Sequence, residues 1–337
     1  MTIQPPYLLY IGDTTDPISA KTARGIAVWR PEQCVGQLRA PGSAIDLGVP
    51  DMTPGEAAAA GARTMVVGVA NAGGVLASST VAAVLDALDA GLDVASGLHQ
   101  RLADQPAIAD RAAALGRSLW DVREPPAALR VGNGERRAGR RLLTVGTDCS
   151  VGKMYTTLAL ERALRGRGLA ADFRATGQTG ILIAGAGMPI DAVVADFISG
   201  AVEALSPTRD DGGWDLIEGQ GSLFHPSYAG VSLGLLHGAQ PDAVVLCHQA
   251  GRMMMRHMAA HRIPDLQVCL DRNLEAARLT NPDVIAVGVA LNTAGLSPEA
   301  AATACRAAED ALGLPCQDPV RDGIERIVDH LAACFAS

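Results

Sequence analysis

Residues 141 to 160 carry the sequence RLLTVGTDCSVGKMYTTLAL, and the interpretation of the whole chain starts from this stretch. A short apolar run ending at Val145 predicts a buried strand. The segment from Gly146 to Gly152 predicts a tight loop, and the apolar spacing from Lys153 onward predicts a helix. A strand, a glycine-containing loop, the pair Gly-Lys and a helix, in this order, make a phosphate-binding P-loop.

The chemistry of such a loop lies in its backbone. Consecutive amide N–H groups can point at phosphate oxygens, and the following helix adds the positive end of its dipole. Lys153 would reach an outer phosphate through its flexible side chain. Of the 28 basic residues only Lys21 and Lys153 are lysines. We therefore predict that the phosphates of a ligand are bound by Gly146, Thr147, Asp148, Cys149, Ser150, Val151, Gly152, Lys153 and Met154.

Two features of the loop depart from the common pattern G-x-x-x-x-G-K-[ST]. Five residues separate Gly146 from Gly152, and this longer form, GTDCSVGK, resembles the loop of dethiobiotin synthetases. Met154 stands where a Ser or Thr hydroxyl normally binds Mg²⁺, for which a thioether is a weak ligand. Thr157 lies about one helical turn further on, too far to replace that hydroxyl. We expect a loop that binds a diphosphate but is poorly equipped for metal-assisted phosphoryl transfer.

The composition argues against several classes of function. A net charge of −8 over 337 residues, without a basic segment, disfavours a nucleic-acid partner, because such binding depends on neutralising many phosphates. No apolar run reaches the length of a membrane span, and the start MTIQPPYLLYIGD does not resemble a signal peptide. We therefore expect no membrane partner and a cytoplasmic location. The 7 cysteines are scattered and never form C-x-x-C, which predicts neither a disulfide framework nor a metal site.

The order of elements predicts an α/β protein with two domains. Residues 1–130 predict a Rossmann-like domain, in which the strand Thr64 to Ala70 leads through the turn NAGG, residues 71–74, into a helix. The segment between Glu124 and Arg140 is rich in Pro, Gly and Arg and predicts the boundary.

Residues 138–337 alternate predicted strands and helices, which indicates a P-loop NTPase-like domain with a doubly wound, mostly parallel sheet. Within it we predict a strand from Trp214 to Ile217, a helix from Arg252 to His261 and a strand from Gln267 to Leu270.

Polar residues that follow these strands are candidates for catalysis. Glu218 directly follows the strand that ends at Ile217, at the edge of a parallel sheet where ligands bind. A carboxylate half-buried there can act as a general base, and a cap or an ion pair is an equally good interpretation. His225 is a second candidate base, with a hydrogen-bonded loop histidine as the alternative. For substrate binding we select four residues that fall at predicted strand ends: Arg174, Gln178, Thr179 and Arg252. The two arginines could pair with carboxylates or phosphates.

Several segments together resemble a family of bacterial P-loop proteins that includes D-glutamate N-acetyltransferases. They are VGTDCSVGK, FRATGQTG, GMPIDAVVADFISGAVE, IEGQGSLFHPSYAGVSLGLLHG and VLCHQAGR. The resemblance covers most of residues 141 to 295. It implies acetyl transfer from acetyl-CoA to the amine of D-glutamate or a similar amino acid. Coenzyme A contains a diphosphate to be held and no phosphoryl group to be moved, so no metal would be required.

Two other functions are compatible with the residues. An ATP- and Mg²⁺-dependent ligase or carboxylase is suggested by the dethiobiotin synthetase-like loop, and it would release ADP. A nucleotide-binding protein without catalytic activity would bind its ligand and turn nothing over. In each case we expect a small-molecule ligand, and we expect the protein to be a homo-oligomer.

Overall fold

The computed structural model describes residues 2–16, 19–69 and 76–336. The strands are β1 (Tyr7–Gly12), β2 (Cys34–Arg39), β3 (Thr64–Val67), β4 (Asp93–Ser96), β5 (Leu119–Asp121), β6 (Arg140–Gly146), β7 (Ala171–Arg174), β8 (Trp214–Ile217), β9 (Ala243–Gln249), β10 (Met254–Met255), β11 (Met258–Arg262), β12 (Ile285–Asn292) and β13 (Cys316–Gln317). The α-helices are α1 (Lys21–Trp29), α2 (Pro54–Ala59), α3 (Ser78–Asp89), α4 (Pro106–Leu115), α5 (Lys153–Gly166), α6 (Gln178–Ala184), α7 (Ile198–Leu205), α8 (Ala229–Ala239), α9 (Leu266–Arg278), α10 (Pro298–Leu312) and α11 (Glu325–Cys334). None of the helices in the described ranges combines the length and the apolar character that crossing a bilayer needs.

The first of two compact units extends to Pro125 and includes a later segment, Gly177–Pro189. Its five strands form a parallel sheet in the order β2-β1-β3-β4-β5. Strand β1, YLLYIG, is buried along its whole length, as expected for a strand covered by helices on both faces. This is the Rossmann-like part of the predicted α/β fold. The predicted turn at residues 71–74 lies outside the described residues.

Helix α6 belongs to this first unit although the sequence on both sides of it belongs to the second. Its apolar side buries Ile181, Leu182 and Ile183. The hydroxyl of Thr179 lies 3.1 Å from that of Thr22 on α1, and Gln178 accepts a hydrogen bond from Arg123. The sequence assigned this segment to the second domain, because the apolar pattern of a short helix does not reveal which sheet it covers.

The second unit contains six parallel strands in the order β13-β12-β9-β6-β8-β7. Strand β6 is central, and the chain passes from it to one side of the sheet and later crosses to the other side at β9. The carboxyl ends of β6, β8 and β9 therefore lie side by side at the point where the winding changes direction, which is where open α/β sheets bind ligands. The predicted P-loop fold with a mostly parallel sheet is confirmed.

Two predicted elements of this unit are wrong. The predicted helix at residues 252–261 is the antiparallel hairpin of β10 and β11. It cannot be helical at Arg256, because the backbone N–H of that residue donates to the Asp148 carboxylate at 2.7 Å and is not available for a helical bond. The predicted strand at residues 267–270 lies inside α9, whose buried residues Cys269, Leu270, Asn273 and Ala277 recur at helical spacing.

Candidate functional site

The P-loop connects the end of β6 to the start of α5, as predicted. Gly152, the last residue before the helix, has a φ of 110°, and Ser150 has a φ of 54°. Residues other than glycine rarely adopt a backbone φ of this size, so Gly152 is required for the loop to enter the helix. The turn places the start of α5, the positive end of its dipole, beside the loop.

Lys153 is held inside the loop with only 7% of its surface exposed. Its ammonium group donates hydrogen bonds to the backbone oxygen of Asp148 at 2.9 Å and to that of Gly221 at 2.7 Å. Burial lowers the pKa of this lysine, because water no longer stabilises its charge. The single lysine of the second unit is therefore fixed between the P-loop and the segment that follows β8.

Gly219 makes this close approach possible. A Cβ atom at this position would lie 1.7 Å from the backbone oxygen of Thr144 on β6 and 2.9 Å from the Lys153 side chain. Its backbone N–H donates to the Thr144 hydroxyl at 3.0 Å. Gly219 was not among the site residues predicted from the sequence. The Gly-x-Gly that follows Glu218 was the available signal, because glycine after a strand often marks a close backbone contact.

Asp148 ties the loop to the segment after β9. Its side chain is fully buried, and Oδ2 accepts hydrogen bonds from Arg252 at 3.0 Å and from the backbone N–H of Arg256 at 2.7 Å. Arg252 also donates to the backbone oxygen of Cys149 at 2.7 Å. The guanidinium that was predicted to bind substrate is thus part of the P-loop structure itself.

His248, at the end of β9, contacts the loop from the other side. Its Nδ1 atom lies 2.8 Å from the Thr147 hydroxyl. Burial, and next the nearby charge of Arg252, lower the pKa of His248 to about 4, and Asp148 opposes this effect. The imidazole is therefore neutral at physiological pH. It supports the loop through a hydrogen bond and adds no charge to it.

Glu218 lies at the carboxyl end of β8, as predicted, with 5% of its surface exposed. Its Oε2 atom accepts a hydrogen bond from the backbone N–H of Thr176 at 3.0 Å, and the Thr176 hydroxyl donates to the backbone oxygen of Glu218 at 2.6 Å. The charge of Glu218 acts on Lys153 and opposes the lowering of its pKa. The carboxylate is therefore part of the same cluster as the P-loop lysine.

His225 is 2% exposed and uses both ring nitrogens. The backbone N–H of Ser227 donates to Nδ1 at 3.2 Å, so the hydrogen of the neutral ring is on Nε2, which lies 3.2 Å from the backbone oxygen of Arg256. The ring stacks on Tyr228 with centroids 4.5 Å apart. To accept a proton, His225 would first have to give up its bond from Ser227.

The four residues selected for substrate binding have other contacts. Arg174 forms a 2.8 Å ion pair with the fully buried carboxylate of Asp215. Arg252 is bound to Asp148, and Gln178 and Thr179 belong to the first unit. Removing the charged partner of a buried carboxylate is costly, which holds Arg252 on Asp148. Asp215 keeps a second ion pair, with Arg209 at 2.8 Å, so Arg174 is held less firmly.

Thr157, predicted to be poorly placed to replace the missing Mg²⁺ hydroxyl, is turned into the protein. Its side chain is fully buried, and its hydroxyl donates to the backbone oxygen of Lys153 at 2.8 Å and lies 3.0 Å from the Thr144 hydroxyl. Met154, half-buried, occupies the position next to the lysine.

Comparisons with known proteins agree with this architecture. A family model described as the P-loop domain of DUF1611, a domain of unknown function, matches residues 130–328. A model described as its Rossmann-like N-terminal domain matches residues 35–125. The crystal structure of a DUF1611 family protein from Anabaena variabilis is 34% identical, with a TM-score of 0.84, and the match covers 98% of this chain and 100% of that chain.

Two curated relatives have a named activity. The chain is 49% identical to a D-glutamate N-acetyltransferase from Pseudoalteromonas sp., over 98% of this chain and 100% of that protein. It is 50% identical to a D-glutamate N-acetyltransferase from Tritonibacter scottomollicae, over 98% of this chain and 99% of that protein. The resemblance inferred from the sequence motifs is confirmed, and the chain belongs to the DUF1611 family.

Proposed function

We propose that this protein transfers an acetyl group from acetyl-CoA to the amine of D-glutamate. The observation that carries the proposal is the identity of 49% and 50%, over nearly the full length of each protein, to two relatives named D-glutamate N-acetyltransferase. Identity at this level over both units favours a common reaction. The site in the second unit supplies an independent chemical argument for the acetyl donor.

That argument concerns the phosphate loop. Coenzyme A presents a diphosphate, and a loop with a helix N-terminus and the buried ammonium of Lys153 suits such an anion. A reaction that leaves the diphosphate intact does not need Mg²⁺ between phosphates. Met154 in the hydroxyl position and the inward-turned Thr157 are therefore compatible with acetyl transfer and unfavourable for ATP cleavage. We infer that neither ATP nor Mg²⁺ takes part.

Arg252 is assigned to the same ligand. Its guanidinium donates to the backbone oxygen of Cys149, so it lies beside the P-loop. We propose that it contacts the CoA diphosphate while keeping Asp148 as its partner. Arg174, which is paired with Asp215, is a weaker candidate for binding the glutamate carboxylates.

The transfer itself requires a free amine. The ammonium group of D-glutamate gives up a proton to a base, the amine nitrogen attacks the thioester carbonyl, and the carbon–sulfur bond breaks to release the CoA thiolate. Backbone amides can stabilise the oxyanion of the tetrahedral intermediate. Glu218 is the stronger of the two predicted bases, because it follows β8 at the sheet edge where open α/β sheets bind ligands, whereas His225 would lose its bond from Ser227 on taking a proton. Glu218 also lies close to Lys153, so a role as base requires the thioester to react near the P-loop lysine.

The test is to incubate the protein with acetyl-CoA and D- or L-glutamate, without ATP or added metal, and to follow release of the CoA thiol. Thiol release only in the presence of D-glutamate supports the proposal. A requirement for ATP and Mg²⁺, with ADP formed, supports a ligase. Binding without turnover with any amino acid supports a nucleotide-binding protein. In the Glu218→Gln variant, loss of kcat identifies a base, whereas an increase confined to the KM for acetyl-CoA identifies a role beside the phosphates.

A further inference from the structure

Three side chains of different chemistry converge beside the P-loop. They are the carboxylate of Asp148, the thiol of Cys149 and a ring nitrogen of His225, and their ligand atoms all lie within 4.8 Å of one another. The first two are consecutive residues of the loop, and the third comes from the segment between β8 and α8. Asp148 and His225 are buried, and Cys149 is half-buried. An oxygen, a sulfur and a nitrogen donor are therefore fixed around one point.

Among the described residues, one oxygen of the Asp148 carboxylate has no hydrogen-bond partner. While Oδ2 of Asp148 accepts hydrogen bonds from Arg252 and from the backbone of Arg256, Oδ1 is fully buried and meets no hydrogen-bond donor among the residues of the described ranges. A buried carboxylate oxygen without a donor is energetically unfavourable. A cation bound to Oδ1 would remove this cost and leave the contacts of Oδ2 unchanged.

The hydrogen bonds of His225 decide which ring nitrogen is available to a cation. Its hydrogen bonds place the lone pair on Nδ1 and the hydrogen on Nε2, beside the backbone oxygen of Arg256. Metal-binding histidines commonly donate their second ring N–H to a backbone carbonyl, which fixes the direction of the ligating nitrogen. A metal on Nδ1 would replace the 3.2 Å contact from Ser227.

We propose that Asp148, Cys149 and His225 form a site for a divalent metal ion of the zinc class. One thiolate, one imidazole and one carboxylate suit Zn²⁺ or Co²⁺ and are a poor set for Mg²⁺ or Ca²⁺, which prefer oxygen ligands. Three protein ligands leave a position open for a further ligand. The positive charges of Lys153 and Arg252 lie nearby and favour an anion in that position. On binding, the Cys149 thiol loses its proton to solvent and a metal–sulfur bond forms.

The ligands of this site do not include position 154, where the methionine replaces the hydroxyl that usually binds magnesium. The expectation of no metal rested on that methionine and on the spacing of the cysteines. Neither feature bears on a site that combines one cysteine with a histidine far away in the sequence. The site also stands independently of the acetyltransferase proposal, since it is tested with the metal ion alone.

The experiment titrates metal-free full-length protein with Co²⁺. Thiolate-to-cobalt charge transfer in the near ultraviolet and intense visible bands should saturate at one equivalent and disappear when Zn²⁺ is added. Cys149→Ser should abolish the thiolate band and weaken Co²⁺ binding by at least about tenfold, and His225→Gln should weaken it similarly. Cys334→Ser is the control, because this exposed cysteine, 3.6 Å from His330, forms a thiol–imidazole pair outside the proposed site. Its replacement should not affect the spectrum.

A second measurement does not depend on the folding of any variant. In wild-type protein, Zn²⁺ should slow alkylation of Cys149, identified by peptide mass, without protecting Cys334. The proposal is overturned by Co²⁺ spectra without a thiolate band, by a band that persists in Cys149→Ser, or by unchanged alkylation of Cys149 in saturating Zn²⁺.

Discussion

His248 is expected to make the protein sensitive to acid. Burial, reinforced by the charge of Arg252, lowers the pKa of this histidine in the folded state to about 4 from an ordinary value of 6.5. Between about pH 4 and pH 6.5, His248 therefore binds a proton in the unfolded chain and not in the folded chain. The stability that neutral His248 provides is fully present above about pH 6.5 and is lost as the pH falls toward about 4.

The size of the effect follows from the two pKa values. The difference between 6.5 and about 4 corresponds to about 3 kcal/mol when both states are fully titrated. Between about pH 7.5 and about pH 5 the same two values give a loss of about 2 kcal/mol in the free energy of unfolding. This is a large part of the 5–15 kcal/mol that stabilises a typical domain, which makes it measurable.

Urea unfolding of the wild type and of His248→Asn at the two pH values isolates this contribution. Asparagine keeps a polar atom near the Thr147 hydroxyl and does not titrate, so every other titrating group contributes equally to both proteins. The wild type should lose about 2 kcal/mol more than the variant on acidification. If both proteins lose the same amount, the histidine is not held neutral by the fold and the reasoning fails.

Three further substitutions test the phosphate loop. Lys153→Ala should raise the KM for acetyl-CoA by about 10- to 100-fold, because a charge-assisted hydrogen bond to the ligand is lost. Lys21→Ala is the control and should leave the rate of thiol release unchanged. An unaltered KM in Lys153→Ala would show that this lysine does not bind acetyl-CoA. Gly219→Ala should lower the free energy of unfolding in urea by at least about 1–3 kcal/mol, because its methyl group meets a backbone carbonyl. Gly230→Ala, where no atom lies within 4 Å of the added group, is the matched control, and equal midpoints for the two alanine variants would contradict the described packing. Met154→Thr should bind Mg²⁺-ATP more tightly than the wild type in calorimetry, and equal affinity would show that this side chain does not face the cation position.

The P-loop and its flanking elements could be predicted because the information is local. The apolar residues of β6, the glycines of the loop and the apolar spacing of α5 lie within one short stretch, and each indicates its own conformation. The same holds for Glu218, which follows a strand whose four residues are all buried. Periodicity and glycine placement therefore predicted the part of the site that the backbone forms.

The contacts between side chains could not be predicted in this way. Arg252 and Arg174 were selected as free guanidinium groups, yet each is paired with a fully buried aspartate distant in sequence. The hairpin after β9 was predicted as a helix because its sequence alone permits one. Its actual form depends on the bond between its backbone and Asp148, a partner that the local pattern does not identify.

Helix α6 has a consequence for the synthesis of the chain. A nascent polypeptide that has left the ribosome only as far as Pro125 lacks the segment whose Ile183 packs against Gly25 and whose Gly185 oxygen accepts a bond from Ile3. The first unit therefore cannot complete its core until translation has passed Pro189, when the P-loop has already emerged. The first unit therefore cannot finish folding before synthesis of the second unit has begun. A gene fragment that ends at Pro125 would encode a first unit without helix α6.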